Sequence, residues 1–169
     1  AFLDVSDAPE SGETIARKLQ NQISEEFKLP TSWGVATNKL VAKIACEVGK
    51  PNGLVVVPAG KEPEFLAPLP VEMLWGIGPK AKERLQGAKV STIGALAQLQ
   101  ANQLQSLFGE RGPELAARAQ GIDNRPVAVS HERRSISSER TFRTDIGDEI
   151  ALRRVMLGMS EELGRRLRK

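Results

Sequence analysis

The stretch Leu69-Pro70-Val71-Glu72-Met73-Leu74-Trp75-Gly76-Ile77-Gly78-Pro79-Lys80-Ala81-Lys82-Glu83-Arg84-Leu85 decides how the chain is read. Apolar Val71 and Leu74 precede a Gly-x-Gly step, and Pro79 follows at the first position of a new helix. The reading is a short helix, a tight turn and a second helix. The glycines let the backbone turn without Cβ clashes and approach a partner closely. The first amides of the second helix point outward at the positive end of its dipole, which suits a phosphate. Lys80 and Lys82 stand beside them. This is the pattern of a helix-hairpin-helix element, which holds a nucleic-acid backbone and ignores base sequence. An ordinary helical hairpin shares the glycine turn, but the apolar flanks and adjacent lysines favour phosphate binding. Gly76, Ile77, Gly78 and Lys80 are therefore the candidate DNA-binding residues. A second turn, Phe108-Gly109-Glu110-Arg111-Gly112-Pro113, repeats the glycine and proline logic as a pseudo-duplicate hairpin.

Around the hairpin, residues 71–121 read as short helices, with breaks at 76–78, 87–90, 100–102 and 109–112. Prolines at 58, 63, 68 and 70 mark a boundary and a short connector before them. Upstream, Phe2-Leu3-Asp4-Val5-Ser6 alternates apolar and polar, as a half-buried strand does. Ile15, Leu19, Ile23 and Phe27 form a helical stripe that Ser11 can cap. Residues 32–36 read as a second strand, and residues 38–48 as a helix burying Leu40, Val41, Ile44, Ala45 and Val48. Asn52-Gly53 turns the chain into a third strand at 54–57. The order β-α-β-α-β followed by an all-helical segment makes the fold class α+β.

Downstream, residues 123–133 are polar without a helical stripe and read as a linker. Residues 135–142 alternate weakly, as a strand. Asp148 starts a helix with the stripe Leu152, Val155, Met159, Leu163 and Leu167. The expected domains are 1–58, 59–122, 123–133 and 134–169, the last one incomplete. A start at Ala1, inside a strand-like stretch, reads as a piece of a longer protein.

Composition narrows the function. With 169 residues, 40% hydrophobic and 27% charged, the chain has the make-up of a folded globular protein. One cysteine, Cys46, and one histidine, His131, exclude a disulfide framework and a Cys/His zinc site and point to a reducing, cytoplasmic setting. Cys46 reads as a small thiol at a core edge, and His131 as a solvated side chain in the linker. No apolar run reaches the ~18 residues of a membrane helix. A net charge of +3 permits a nucleic-acid partner without requiring one, and 4% aromatics with no tyrosine argue against a base-stacking platform.

A second signal is Gly34-Val35-Ala36-Thr37-Asn38-Lys39-Leu40-Val41-Ala42-Lys43-Ile44-Ala45, followed by Lys50-Pro51-Asn52-Gly53. At helical spacing Lys39, Lys43 and Lys50 share one face. Spacing alone leaves open whether that face binds a ligand or is merely solvated.

These blocks, in this order, together with Ala1 to Ser6 and Arg133-Arg134-Ser135-Ile136-Ser137-Ser138-Glu139-Arg140-Thr141-Phe142, resemble the Y-family of translesion DNA polymerases. The chain is most similar to the polymerase IV branch, with the catalytic subunit of polymerase V as the alternative. A non-catalytic helix-hairpin-helix module of a repair protein explains residues 69–122 but not the Lys50-Pro51-Asn52-Gly53 block. The resemblance implies a late palm at 1–58, a thumb at 59–122, and the opening strand and helix of a little finger at 134–169.

The resemblance also implies a nucleotidyl-transfer enzyme that extends primers with low fidelity in DNA damage tolerance. It implies two Mg²⁺ ions held by three carboxylates that the family places upstream of Ala1, so no catalytic or metal-binding residue is expected in this chain. Primer-template DNA and a deoxynucleoside triphosphate are the implied partners, with a sliding clamp reached through a segment beyond Lys169. Lys50 matches the lysine on the triphosphate, and Lys39 and Lys43 a supporting basic face. Arg134, Ser135, Ser137 and Arg140 match positions near the template backbone. Three positions depart from the family pattern. Ser137 replaces a glycine, Lys89 stands where a glycine usually ends the hairpin's second helix, and Ala95 stands where an acidic residue is common.

Overall fold

A computed structural model describes residues 1–128 and 135–168. Contacts divide the chain into two compact units, Ala1–Val127 and Ala128–Lys169. The first unit opens with helix α1 (Gly12–Phe27). Ser11 starts it as expected, its Oγ accepting from the Thr14 amide at 3.1 Å. Ile15, Leu19 and Ile23 are half-buried, whereas Phe27 is 64% exposed. The expected strand at 2–6 does not form. Residues 1–5 carry no regular structure, and Asp4 Oδ1 takes both the amide and the hydroxyl of Ser6, closing a local turn. An aspartate that bonds its own neighbourhood competes with ladder formation, and the described residues offer no partner strand there.

β1 (Trp33–Val35) and β2 (Leu54–Val56) pair in parallel, Gly34 opposite Val55. Helix α2 (Lys39–Val48) crosses between them, as parallel strands require. Its start is set by Asn38, whose Oδ1 accepts from the Val41 amide at 3.1 Å. Leu40, Val41, Ile44 and Ala45 are buried, but Val48, in the last turn, is 41% exposed. Gly34 explains how α2 lies so close to β1. A Cβ there would stand 2.0 Å from the Ala42 carbonyl oxygen and 2.4 Å from the Cys46 amide nitrogen. Cys46 sits half-buried at the same contact, its thiol donating to the Ser32 carbonyl at 3.1 Å.

Helices α3 (Glu62–Leu66), α4 (Pro79–Gly87), α5 (Ile93–Ala97), α6 (Ala101–Phe108) and α7 (Gly112–Ala119) follow. Helix α3 lies in the proline-rich stretch expected to be a connector. Pro63 sits in its first turn, where the missing amide costs nothing. Thr92 caps α5 through the Ala95 amide, and Pro70 and Thr92 form an antiparallel bridge. Leu40 and Ile44 of α2 belong to one buried cluster with Leu66, Leu74, Leu85 and Ile93, so strand-helix and helical segments share a core.

In the second unit, residues 135–142 form no strand. Extended segments are stable only with a ladder partner, and none is present among the described residues. Helix α8 (Glu149–Leu167) starts as expected at Asp148, whose Oδ1 accepts from Ile150 and Ala151 amides. No residue of α8 is buried. No described helix is long and apolar enough to cross a membrane.

Candidate nucleic-acid interface

The hairpin is built on a 3₁₀ turn at Val71–Met73. Leu74 is buried in the shared core and Ile77 packs against it, so the apolar residues on either side of Trp75-Gly76 fix the turn from beneath. The Ile77 amide closes the turn on the Leu74 carbonyl at 3.1 Å. Gly76 has φ +109°, a region in which side chains are strained. Gly78, by contrast, has φ −90° and ψ −179° and caps α4 with no side-chain bond. A Cβ on Gly78 would meet nothing within 4 Å, so this position faces open space.

Pro79 has no amide hydrogen, and the first helical bond of α4 runs from the Lys82 amide to the Gly78 carbonyl at 2.9 Å. The Lys80 and Ala81 amides are therefore left without intrahelical partners. The two lysines differ. Lys82 is paired with Glu72 at 2.9 Å, which lowers the Glu72 carboxyl below its ordinary range. Lys80 is exposed and makes no ion pair among the described residues.

Three arginines reach this turn from distant parts of the chain, and the sequence assigned none of them to it. Arg118 of α7 donates Nη1 to the Trp75 carbonyl at 3.0 Å and Nη2 to Glu114 at 2.5 Å. A Cβ on Gly76 would meet Arg118 Nη1 at 2.9 Å and Arg111 Nη2 at 3.2 Å. Arg125 lies over the Trp75 ring, 5.2 Å from its centroid. Its Nε is 2.7 Å from Asp123, whose carboxyl is held below its ordinary range mainly by that hydrogen bond. No local pattern carries this signal, because 35 or more positions separate each arginine from Gly76.

The second turn repeats the positive-φ glycine and the first-turn proline but not the open helix start of the first, because a 3₁₀ turn at Gly109–Arg111 runs straight into α7. Gly109 takes φ +59°, Pro113 sits in the first turn of α7, and Gly112 is packed so that a Cβ would meet the Leu104 backbone at 3.0 Å.

The lysine block separates into two arrangements. Helix α2 ends at Val48, so Lys50 lies past the helix, before a cis bond to Pro51. Lys43 and Lys50 nonetheless converge on Glu47, at 2.9 and 2.8 Å. The Lys50 and Lys43 hydrogen bonds bring the Glu47 carboxyl down to about 2, and the Lys50 ammonium is correspondingly raised. Lys39 turns elsewhere and donates to the Pro126 carbonyl at 2.6 Å.

In the second unit Ser135, Ser137 and Arg140 are exposed, and the Arg140 guanidinium lies 5.9 Å from the Phe142 ring centroid. Arg134 and His131 lie outside the described residues. Among the described residues no three His, Cys, Asp or Glu side chains gather as metal ligands, and Asp4 is engaged with Ser6. The described residues thus offer no ligand set for the Mg²⁺ that the resemblance implies.

Comparison with known proteins matches this arrangement from end to end. The impB/mucB/samB family model matches residues 1–47, the IMS family HHH motif residues 60–90, and the impB/mucB/samB family C-terminal domain residues 133–169. A DNA polymerase IV from Desulfatibacillum aliphaticivorans is 41% identical over all of this chain and 43% of its own length. One from Dehalococcoides mccartyi strain BAV1 is 43% identical over 92% of this chain and 40% of its own. The chain thus spans less than half the length of these curated relatives. Among solved structures, a Dbh ternary complex is 32% identical with a TM-score of 0.64, over 74% of this chain and 39% of that one. The structure of DinB from Sulfolobus solfataricus is 32% identical with a TM-score of 0.61, over 69% of this chain and 34% of that one. With three models of one family taking up more than half of its residues in the right order, the chain belongs to the impB/mucB/samB family, the Y-family of DNA polymerases.

Proposed function

We propose that this chain is the late palm, thumb and opening little-finger portion of a translesion DNA polymerase of the polymerase IV type, and that its hairpin holds the DNA backbone. The observation that carries the reading is the start of α4. There Gly76 and Gly78 deliver two unpartnered amides and the unpaired Lys80 to open solvent on a rigid, core-anchored turn. Donors fixed in this way suit a phosphate and carry no base information. The palm is residues 1–58, the thumb 59–122, the linker 123–133 and the little finger begins at 134. In the whole enzyme Lys50 meets the triphosphate of the incoming nucleotide, with Lys43 beside it. Arg134, Ser135, Ser137 and Arg140 lie near the template backbone. Mg²⁺, bound outside this chain, supplies the metal-assisted chemistry, and a sliding clamp is a further partner of the whole protein, which works in the cytoplasm.

Duplex binding by the chain tests the reading. With ~3–5 phosphate contacts, log K falls against log salt with a slope of about −3 to −4, whatever the sequence. Gly78→Val is the sharp probe. Extended backbone at Gly78 accepts a β-branched residue, so the turn survives while the side chain stands between amides and phosphate. The expected loss is about 1–2 kcal/mol of binding, with helical content by circular dichroism close to the parent. Lys80→Ala costs less, because one exposed charge is screened. Parent-like affinity in folded Gly78→Val, measured by fluorescence anisotropy, refutes the hairpin as the grip.

A further inference from the structure

The segment leaving the helical region does not go free at its end. The Gly121 carbonyl accepts from Asn38 Nδ2 at 2.7 Å, while Asn38 Oδ1 caps α2 at the same time. Gly121 is buried, with φ +79°, and a Cβ on it would lie 2.5 Å from Cβ of Glu62. Glu62, the one buried charged residue among those described, accepts from Thr37 Oγ1 at 2.6 Å. Five residues on, the Pro126 carbonyl accepts from Lys39 Nζ at 2.6 Å. Between these points Arg125 covers Trp75 and is itself held by Asp123. Three consecutive residues, Thr37, Asn38 and Lys39, therefore serve one junction. The first braces α3, the second holds the start of the strap and the third holds its end.

From this geometry we infer that residues 121–126 form a latched strap, with Lys39 as its releasable pin, and that the latch sets how much linker is available to the second unit. Asn38 is half-buried and doubles as a helix cap, so it is the permanent anchor. The Lys39 bond lies at the surface and joins one ammonium to one carbonyl, an interaction that water replaces at small cost. Latched, the chain is held as far as Pro126, one residue short of the contact boundary between the units at Val127. Released at Lys39, Pro126 and Val127 are no longer held, while Arg125 stays over Trp75 and on Asp123, and two extended residues add up to about 7 Å of reach. The device works whether or not the hairpin binds DNA, so it stands apart from the functional reading above.

Paired nitroxide labels at Glu83→Cys on α4 and Glu161→Cys on α8, in a Cys46→Ala background, test it. Both label sites are exposed and helical. Lys39→Met keeps the side chain's stem and leaves the Asn38 cap in place. The inter-label distance distribution, measured by pulsed electron resonance, is expected to broaden in Lys39→Met and its far edge to move outward by up to about 7 Å. Lys39→Arg, which retains a donor, is expected to keep the parental width. Lys39→Ala, at a position that tolerates alanine in a helix, gives the same answer by a second substitution. Folded Lys39→Met and Lys39→Ala with unchanged distributions overturn the latch.

Discussion

The two units use helices in opposite ways. In Ala1–Val127, helices of five to ten residues are stable because each buries one face in a shared cluster. In the described part of the second unit, α8 runs for 19 residues without burying one of them, and Ile150, Met156, Leu157 and Leu167 are each more than 60% exposed. Its stability is local, from the Asp148 cap and the Glu149–Arg153 and Glu162–Arg166 pairs. A short helix is thus held by its neighbours and a long one by its own caps and pairs. Amphipathic periodicity looks the same in both.

Breaking the first unit's closest contact has the largest expected effect. Gly34→Ala places a Cβ against the backbone of α2 at distances no rotamer can relieve. A loss of about 3 kcal/mol or more is expected, seen as a collapse of the denaturation midpoint followed by Trp33 and Trp75 fluorescence. Both tryptophans lie in the first unit, so this signal reports on that unit.

Next comes a matched pair of truncations. Leu85→Ala empties a fully buried position in α4 and costs about 2–5 kcal/mol on the fluorescence midpoint. Leu163→Ala, half-buried on α8, costs about 1 kcal/mol or less and leaves the tryptophan transition where it was. Equal effects from the two substitutions remove the distinction between the units.

Lys89 offers a gain rather than a loss. It holds φ +59° just past α4, and glycine adopts that conformation without Cβ strain. Lys89→Gly is expected to raise stability by about 0.5–1 kcal/mol in urea denaturation, confined to the first unit. A loss instead shows that the lysine side chain supplies more than its backbone strain removes.

The smallest effect is electrostatic. Glu47 has a folded-state carboxyl lowered to about 2 by Lys50 and Lys43, against an ordinary 4.5. A depressed carboxylate contributes stability above its unfolded value and loses it as pH falls through the folded one. The contribution is therefore complete above pH 4.5 and fades toward pH 2, and because the triad is solvent-exposed it is small. Carbon-detected NMR titration of the Glu47 carboxyl checks this. A midpoint near 4.5 means the two lysines do not hold it.

The amino-acid sequence by itself determined the elements whose causes are local. The Gly76-Ile77-Gly78-Pro79 turn, the caps at Ser11, Asn38 and Asp148, and the alternation of strand and helix around Asn38–Val57 follow from backbone freedom and side-chain hydrogen bonding within four residues. It also carried the family resemblance, since the matched blocks are short and continuous. What depended on partners was decided only by tertiary structure. Phe2–Ser6 and residues 135–142 have strand-like alternation and, among the described residues, no ladder to join. Three arginines meet one glycine turn, and a lysine assigned to a basic helix face instead pins a strap 87 positions away. Gly78 shows the limit most plainly. Its identity as glycine suggests a left-handed turn, but the positive φ belongs to Gly76 alone, because Leu74 and Ile77 are both fixed in the core and the chain must reverse between them. Periodicity encodes which face of an element is apolar. Only packing decides what that face meets, and burial against a distant partner supplies the free energy that selects it.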